Sequence, residues 1–275
     1  MTELNNDVQL EEEIPADDSA QDGDEELSLV EKIIGVYTSP VRTFKYLAMK
    51  PDFLSAFIVI SLISIALGLA LTPKIMPVVQ AGTIAKMQEE FSKTGTSENE
   101  QQVIIDTVKK TMAIAPYAQA VIGTPITLCV IWLLVSIVIF FLGMFMGHEP
   151  DFKRLMGVVP WVTFISILSQ IITTVLLMRK EFNSMEQMND MGFMKPISLA
   201  AVIPGVSDMP AFTSAILASV DPFTIWSLIV MVFAIEAANK SSRAHAWIIS
   251  VVLYVITIAM GSGLAAWGAM FQQAN

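Results

Sequence analysis

Met185, Met188, Met191 and Met194 recur at every third position, a spacing that on a helix gathers four thioethers along one slowly drifting face. Thioethers are soft ligands that select Cu(I). The plainer reading is that methionine is the adaptable apolar residue of an interfacial helix, and a chain with 17 Met uses it throughout. The two histidines, His148 and His245, fall in short connections that the hydropathy pattern places at one end of the molecule. Two imidazoles there suit a divalent metal, although a solvated turn around His148, Glu149 and Asp151 needs none. Glu236 stands near the end of an apolar segment, where a carboxylate costs ~2.5–3.5 kcal/mol at mid-bilayer. Lys240, four residues on, supplies a helical ion-pair partner that explains it structurally. Ser166, Ser169, Gln170, Thr173 and Thr174 form a polar face in another apolar segment. Gln170 and Thr173 suit hydrogen bonding between helices; the alternative is a solute path, with Glu236 as its charge. The single cysteine, Cys129, excludes an intrachain disulfide. No P-loop, G-x-S-x-G, H-E-x-x-H or dinucleotide fingerprint occurs, so the chain is expected to be non-enzymatic and to need no cofactor.

The elements that must carry these residues are apolar helices. The chain is 54% hydrophobic and only 15% charged, with a mean hydropathy of +0.61. Uncharged stretches reach the ~20 residues that cross a bilayer core. They predict an all-α polytopic membrane protein, a five-helix transmembrane bundle with spans at 53–72, 121–146, 155–177, 222–238 and 246–268. The fourth is the shortest, opened by Asp221-Pro222 and interrupted by Glu236. Pro125 and Pro160 sit near span starts, where a neighbouring helix can satisfy the freed carbonyls. Gly261, Ala265 and Ala269 place small residues at helix-contact spacing in the last span. Trp247 and Trp267 mark its ends. Ser97 and Glu100 form a capping box in the first long loop. The second long loop, 180–221, is apolar enough to lie on or dip into the membrane surface.

Ahead of the spans the charge is lopsided. Residues 1–31 hold 12 acids and no Lys or Arg, leaving 16 bases against 14 acids in the rest. The net charge of −10 therefore belongs to the N-terminal segment. Residues 1–26 have too little apolar surface to offset ordering entropy and are expected to be a disordered acidic tail. Residues 27–50 follow as an amphipathic juxtamembrane segment. Val41, Phe44, Leu47 and Ala48 share one face, with Arg42, Lys45 and Lys50 off it. Such a helix lies in the headgroup region, its bases at the membrane surface. Residues 51–275 make the transmembrane domain. The 16 bases split evenly between the two sides, but those accompanying the N-terminus lie in short segments beside the spans. Short loops set orientation, so the N-terminus is expected to be cytoplasmic and the C-terminus outside.

Four short blocks, taken in order between five spans, resemble the Yip family of five-span membrane proteins, in particular its prokaryotic branch. They are Ser39-Pro40-Val41-Arg42-Thr43-Phe44 before the first span and Asp151-Phe152-Lys153-Arg154-Leu155 before the third. Asp221-Pro222-Phe223-Thr224-Ile225-Trp226 opens the fourth, and Lys240-Ser241-Ser242-Arg243-Ala244 leads into the fifth. The family-motif residues are thus Pro40, Phe44, Phe152, Pro222, Phe223 and Trp226. The resemblance implies residence in a prokaryotic inner membrane, the same N-in, C-out topology and a role in membrane organisation. The expected partners are the lipid bilayer and other membrane or membrane-associated proteins, with no nucleic acid. The first functional reading is a scaffold or adaptor; the alternatives are a small transporter, channel or accessory subunit, and copper handling by the Met185–Met194 series.

Overall fold

The computed structural model describes residues 26–273, with side chains to residue 268. The expected tail lies outside the described residues but for Glu26. Ser28 opens α1 (Leu29–Thr38) with a capping box to Glu31. Ser39-Pro40 then turns the chain into α2 (Pro40–Met49), proline taking the first helical position, where no N–H is needed. The two helices cross at Gly35, where a Cβ would collide with the Thr43 hydroxyl. α3 (Phe53–Thr94) starts on an Asp52 cap and runs for 42 residues, so the expected span 53–72 is only its first half. Gly95, at φ +66°, ends it, and Ser97 with Glu100 opens α4 (Glu98–Ala118) with the predicted capping box.

α4 continues through a π turn, Gln119–Gly123, into α5 (Thr124–Phe145). The turn has a local cause. Pro125 lacks the N–H that would reach back to the carbonyl of Val121, and the ladder widens there. α6 (Phe152–Arg179) is capped by Asp151, whose carboxylate accepts from the N–H groups of Lys153 and Arg154. Residues 180–221 hold α7 (Met185–Asn189), α8 (Met191–Met194), α9 (Leu199–Val202) and α10 (Ala211–Ser219). α11 (Pro222–Asn239) and α12 (Arg243–Gln273) complete the chain. Five helices are long and apolar enough to cross a membrane, and no strand occurs among the described residues.

α6 is the axis of the bundle and packs on α3, α5 and α11. Its first half is the most densely buried part of the protein: Leu155, Val158, Trp161 and Ile165 are fully enclosed. Its second half opens, and Ser166 and Gln170 are exposed although they lie on the central helix. At the first end, α1 and α2 dock on α6 and α11. At the other end, α10 packs on α12, and Ala200, Val206 and Ala218 make a second small core. Residues 180–221 therefore form a folded cap with a small interior of its own. On one side of α12 the small residues face open space, since a Cβ at Gly261, Gly263 or Gly268 would meet nothing among the described residues, while Ser262 is fully buried.

Candidate functional site

The hairpin end is built around an ion pair that sequence reasoning missed. Lys32 on α1 reaches Asp52 at 2.6 Å, with both side chains largely buried. The Asp52 carboxylate also accepts from the Ser55 N–H at 3.1 Å, and the Asp52 carbonyl accepts from Trp161 Nε1 at 2.7 Å. Desolvation pushes the Asp52 carboxyl up, but the hydrogen bonds from Lys32 and Ser55 and the lysine charge outweigh it, so it stays below the usual carboxylate range. Tyr37 donates to the carbonyl of Phe164 at 2.5 Å, midway along α6, and meets Trp226 edge-on at 5.6 Å. Lys32 and Asp52 lie twenty residues apart on different elements, so no local pattern pairs them.

The hairpin changes the meaning of the amphipathic segment. Phe44, Leu47 and Ala48 do not lie among headgroups: they are buried against α6 and α11. An apolar complement stood closer than the lipid. Arg42 and Lys45 remain exposed, and Lys50 pairs with Glu26 at 3.5 Å. Arg42, Lys45, Tyr46, Met49 and Lys50 line a groove of about 700 Å³. This end therefore offers a basic groove on a fixed helix, with Glu26 beside it.

Glu236 pairs with Arg243 at 2.9 Å, not with Lys240 as the spacing predicts. Lys240 ends α11 at φ +49°, and this left-handed cap takes its side chain out of the helical register. His148 and His245 do meet, Nε2 to Nδ1 at 2.9 Å, and so bond to each other. Among the described residues no group of three or more His, Cys, Asp or Glu side chains converges on a metal position. Phe152 packs edge-on against Phe140 at 6.1 Å, and Pro222 sits at the start of α11 behind the Asp221 cap.

The opposite end holds a cavity of about 670 Å³. Its walls mix hydroxyls and amides from three spans, among them Ser64, Gln119, Thr124, Ser166, Gln170 and Thr173, with the apolar side chains of Leu71, Leu128, Ile167 and Leu177. Phe223 and Thr224 from the start of α11, and Lys195 from the cap, border it. Gln170 bonds Ser64 across α6 and α3 at 3.4 Å, so it both ties helices together and faces open space. Ser166 lies about 21 Å along α6 at 1.5 Å per residue, close to the middle of the span. Below it Trp132 donates to Thr163 at 2.9 Å and stacks edge-on with Phe53 and Phe57, closing the floor. Gln119 was also missed. Its signal is the pair Pro116 and Pro125, which bracket the π turn that brings it to the edge of the cavity.

The methionines do not form one face. Asp190 breaks the series into α7 and α8 by capping the second helix. Met185 packs on Gly82 of α3, Met191 on the cap core, and Met194 borders the cavity.

A family model of the Yip1 domain matches residues 34–265, and the chain belongs to that family. Neither the curated proteins nor the solved structures include a match to it.

Proposed function

We propose that this integral membrane protein is a non-enzymatic scaffold of the prokaryotic inner membrane, with the hairpin end in the cytoplasm and the C-terminus outside. The observation that carries this reading is the docked hairpin. A helix held by fully buried Phe44 and Leu47 presents Arg42, Lys45 and Lys50 at a fixed place beside the membrane. A basic groove so placed suits acidic segments of partner proteins and anionic headgroups, since both neutralise its charge. The acidic segment before Glu26 is the competitor nearest to hand. Crosslinking in native membranes tests this. The triple charge reversal Arg42→Glu, Lys45→Glu, Lys50→Glu is expected to lose peripheral partners that the unaltered chain captures. An identical set of captured proteins from the two, at equal membrane levels, would sink the reading.

Passage of a small solute is the second reading, favoured by the polar cavity at the opposite end. It needs a route past Trp132. Uptake unaffected by Gln170→Leu with Glu236→Gln, in a folded protein, removes it.

A further inference from the structure

The polar cavity has a side chamber. A second space of about 410 Å³ lies between α5, α6, α11 and α12, and it shares Leu128, Thr163, Ser166 and Thr224 with the first. Its lining differs in kind. Ile131, Val135, Val162, Leu253 and Ile258 make it apolar. On α12 it extends from Ser250 to Ile258, about 12 Å of helix rise. Ile131, 47% exposed on α5, stands at its rim toward the bundle exterior, where hydrocarbon surrounds a spanning helix.

We infer that the joined cavities bind one anionic glycerophospholipid, its hydroxyl-bearing head in the polar cavity and one acyl chain in the side chamber. Four observations converge on that occupant. The apolar chamber adjoins one whose lining adds hydroxyls and amides, with Ser166 on the wall of both, which is the polarity step of an amphiphile. Serine, threonine and glutamine side chains both donate and accept, so Ser169, Gln170 and Thr173 match a head that carries alcohols. Lys195 is the one basic residue in the lining and makes no ion pair among the described residues, so it is placed to take the phosphate. The lining carboxylate, Asp221, caps α11: it accepts from the N–H groups of Phe223 and Thr224 and from the Thr224 hydroxyl, so both its oxygens are turned to the positive end of that helix. Finally, Ser227 lines the chamber, and its buried hydroxyl has no partner among the described residues. An ester carbonyl at the neck gives it one after a χ1 rotation.

An apolar chamber is poorly suited to water, and a lipid chain from the bilayer fills it at no cost in hydrogen bonds. The site lies at the end opposite the basic groove and stands independently of the scaffold reading.

Native mass spectrometry of the detergent-purified full chain tests this with three probes: phosphatidylglycerol, phosphatidylethanolamine and glycerol 1-phosphate. One phosphatidylglycerol is expected to remain bound at least tenfold more persistently than phosphatidylethanolamine. Lys195→Gln should abolish that preference. Ser166→Phe, which fills the neck, should abolish retention, whereas Leu264→Phe on the exposed side of α12 should leave it intact. Gln170→Ala, a truncation without steric load, decides the matter if Ser166→Phe fails to fold; it should weaken retention at least threefold. Equal retention of the two lipids by the unaltered chain overturns the proposal. So does phosphatidylglycerol binding that Gln170→Ala leaves unchanged. Glycerol 1-phosphate bound as well as the lipid also overturns it, because the side chamber would then contribute nothing.

Discussion

The two ends of the bundle solve opposite problems with the same central helix. At the hairpin end, the first half of α6 is sealed by α1, α2 and the start of α3, and a buried ion pair locks the seal. At the cap end, the second half of α6 is held apart from its neighbours and leaves Ser166 and Gln170 open. The difference follows from side-chain type. Leu155, Val158, Trp161 and Ile165 pack at interior density, while serines and threonines one turn later are too short to fill the space between spans. The hairpin end has its own exception in Asn239, whose amide is buried beside Gly143 without a partner. The contrast teaches that this fold spends its packing at one end and keeps polar volume at the other.

Truncating the seal is the strongest way to break the contrast. Phe44→Ala removes a fully buried ring from the hairpin interface and should destabilise the protein by about 3–5 kcal/mol. Ser166→Ala, at the open end, should cost less than about 0.5 kcal/mol. Unfolding in mild detergent, followed by tryptophan fluorescence, checks the pair. Equal effects would mean that the hairpin is not docked as described.

Next in size is the lock. Asp52→Asn leaves Lys32 without its counter-charge and should cost about 1–3 kcal/mol. Because folding lowers the Asp52 pKa, its contribution is complete above the ordinary carboxylate range and is lost as pH falls through the lowered value. Stability of the unaltered chain should therefore drop on acidification through that range, and the Asp52→Asn chain should lose that part of the slope. Identical acid profiles would remove the ion pair from the account.

A smaller effect should come from the cavity floor. Thr163→Val keeps the shape and deletes the acceptor of Trp132, which costs about 0.5–1.5 kcal/mol. Quenching of tryptophan fluorescence by a polar quencher should also rise, as the indole loses its anchor above the aromatic cluster.

The sequence displayed the five spans because charge-free length is a one-dimensional signal, and it displayed the caps because Ser97 and Glu100 act within one turn. It also made the polar face of α6 visible, including the tie through Gln170. What it could not display is pairing at a distance. Lys32 with Asp52, Tyr37 with Phe164, and the side chamber between α5 and α12 all depend on which helices become neighbours. The amphipathic segment shows the limit most clearly. Its apolar face was legible, but periodicity does not say whether lipid or protein covers it. The methionine series shows the reverse: the regular spacing was real, and one aspartate was enough to divide its faces.

The smallest test concerns Glu236, where a local rule and the tertiary structure give different partners. Spacing favours Lys240; the structure pairs Glu236 with Arg243 at 2.9 Å, with the guanidinium 5.2 Å from the Phe233 ring centroid. The bridge is partly exposed, so Glu236→Gln should cost only about 0.2–1 kcal/mol. Its partner can still be identified by a double-mutant cycle. Coupling is expected between Glu236→Gln and Arg243→Gln, and none between Glu236→Gln and Lys240→Gln. Lys240 plays a backbone role instead: at φ +49° it closes α11, and Lys240→Gly should raise stability by up to about 1 kcal/mol, since glycine adopts that conformation without steric penalty. A cycle that coupled Glu236 to Lys240 would place the carboxylate back on the face of its own helix and remove Arg243 as its partner.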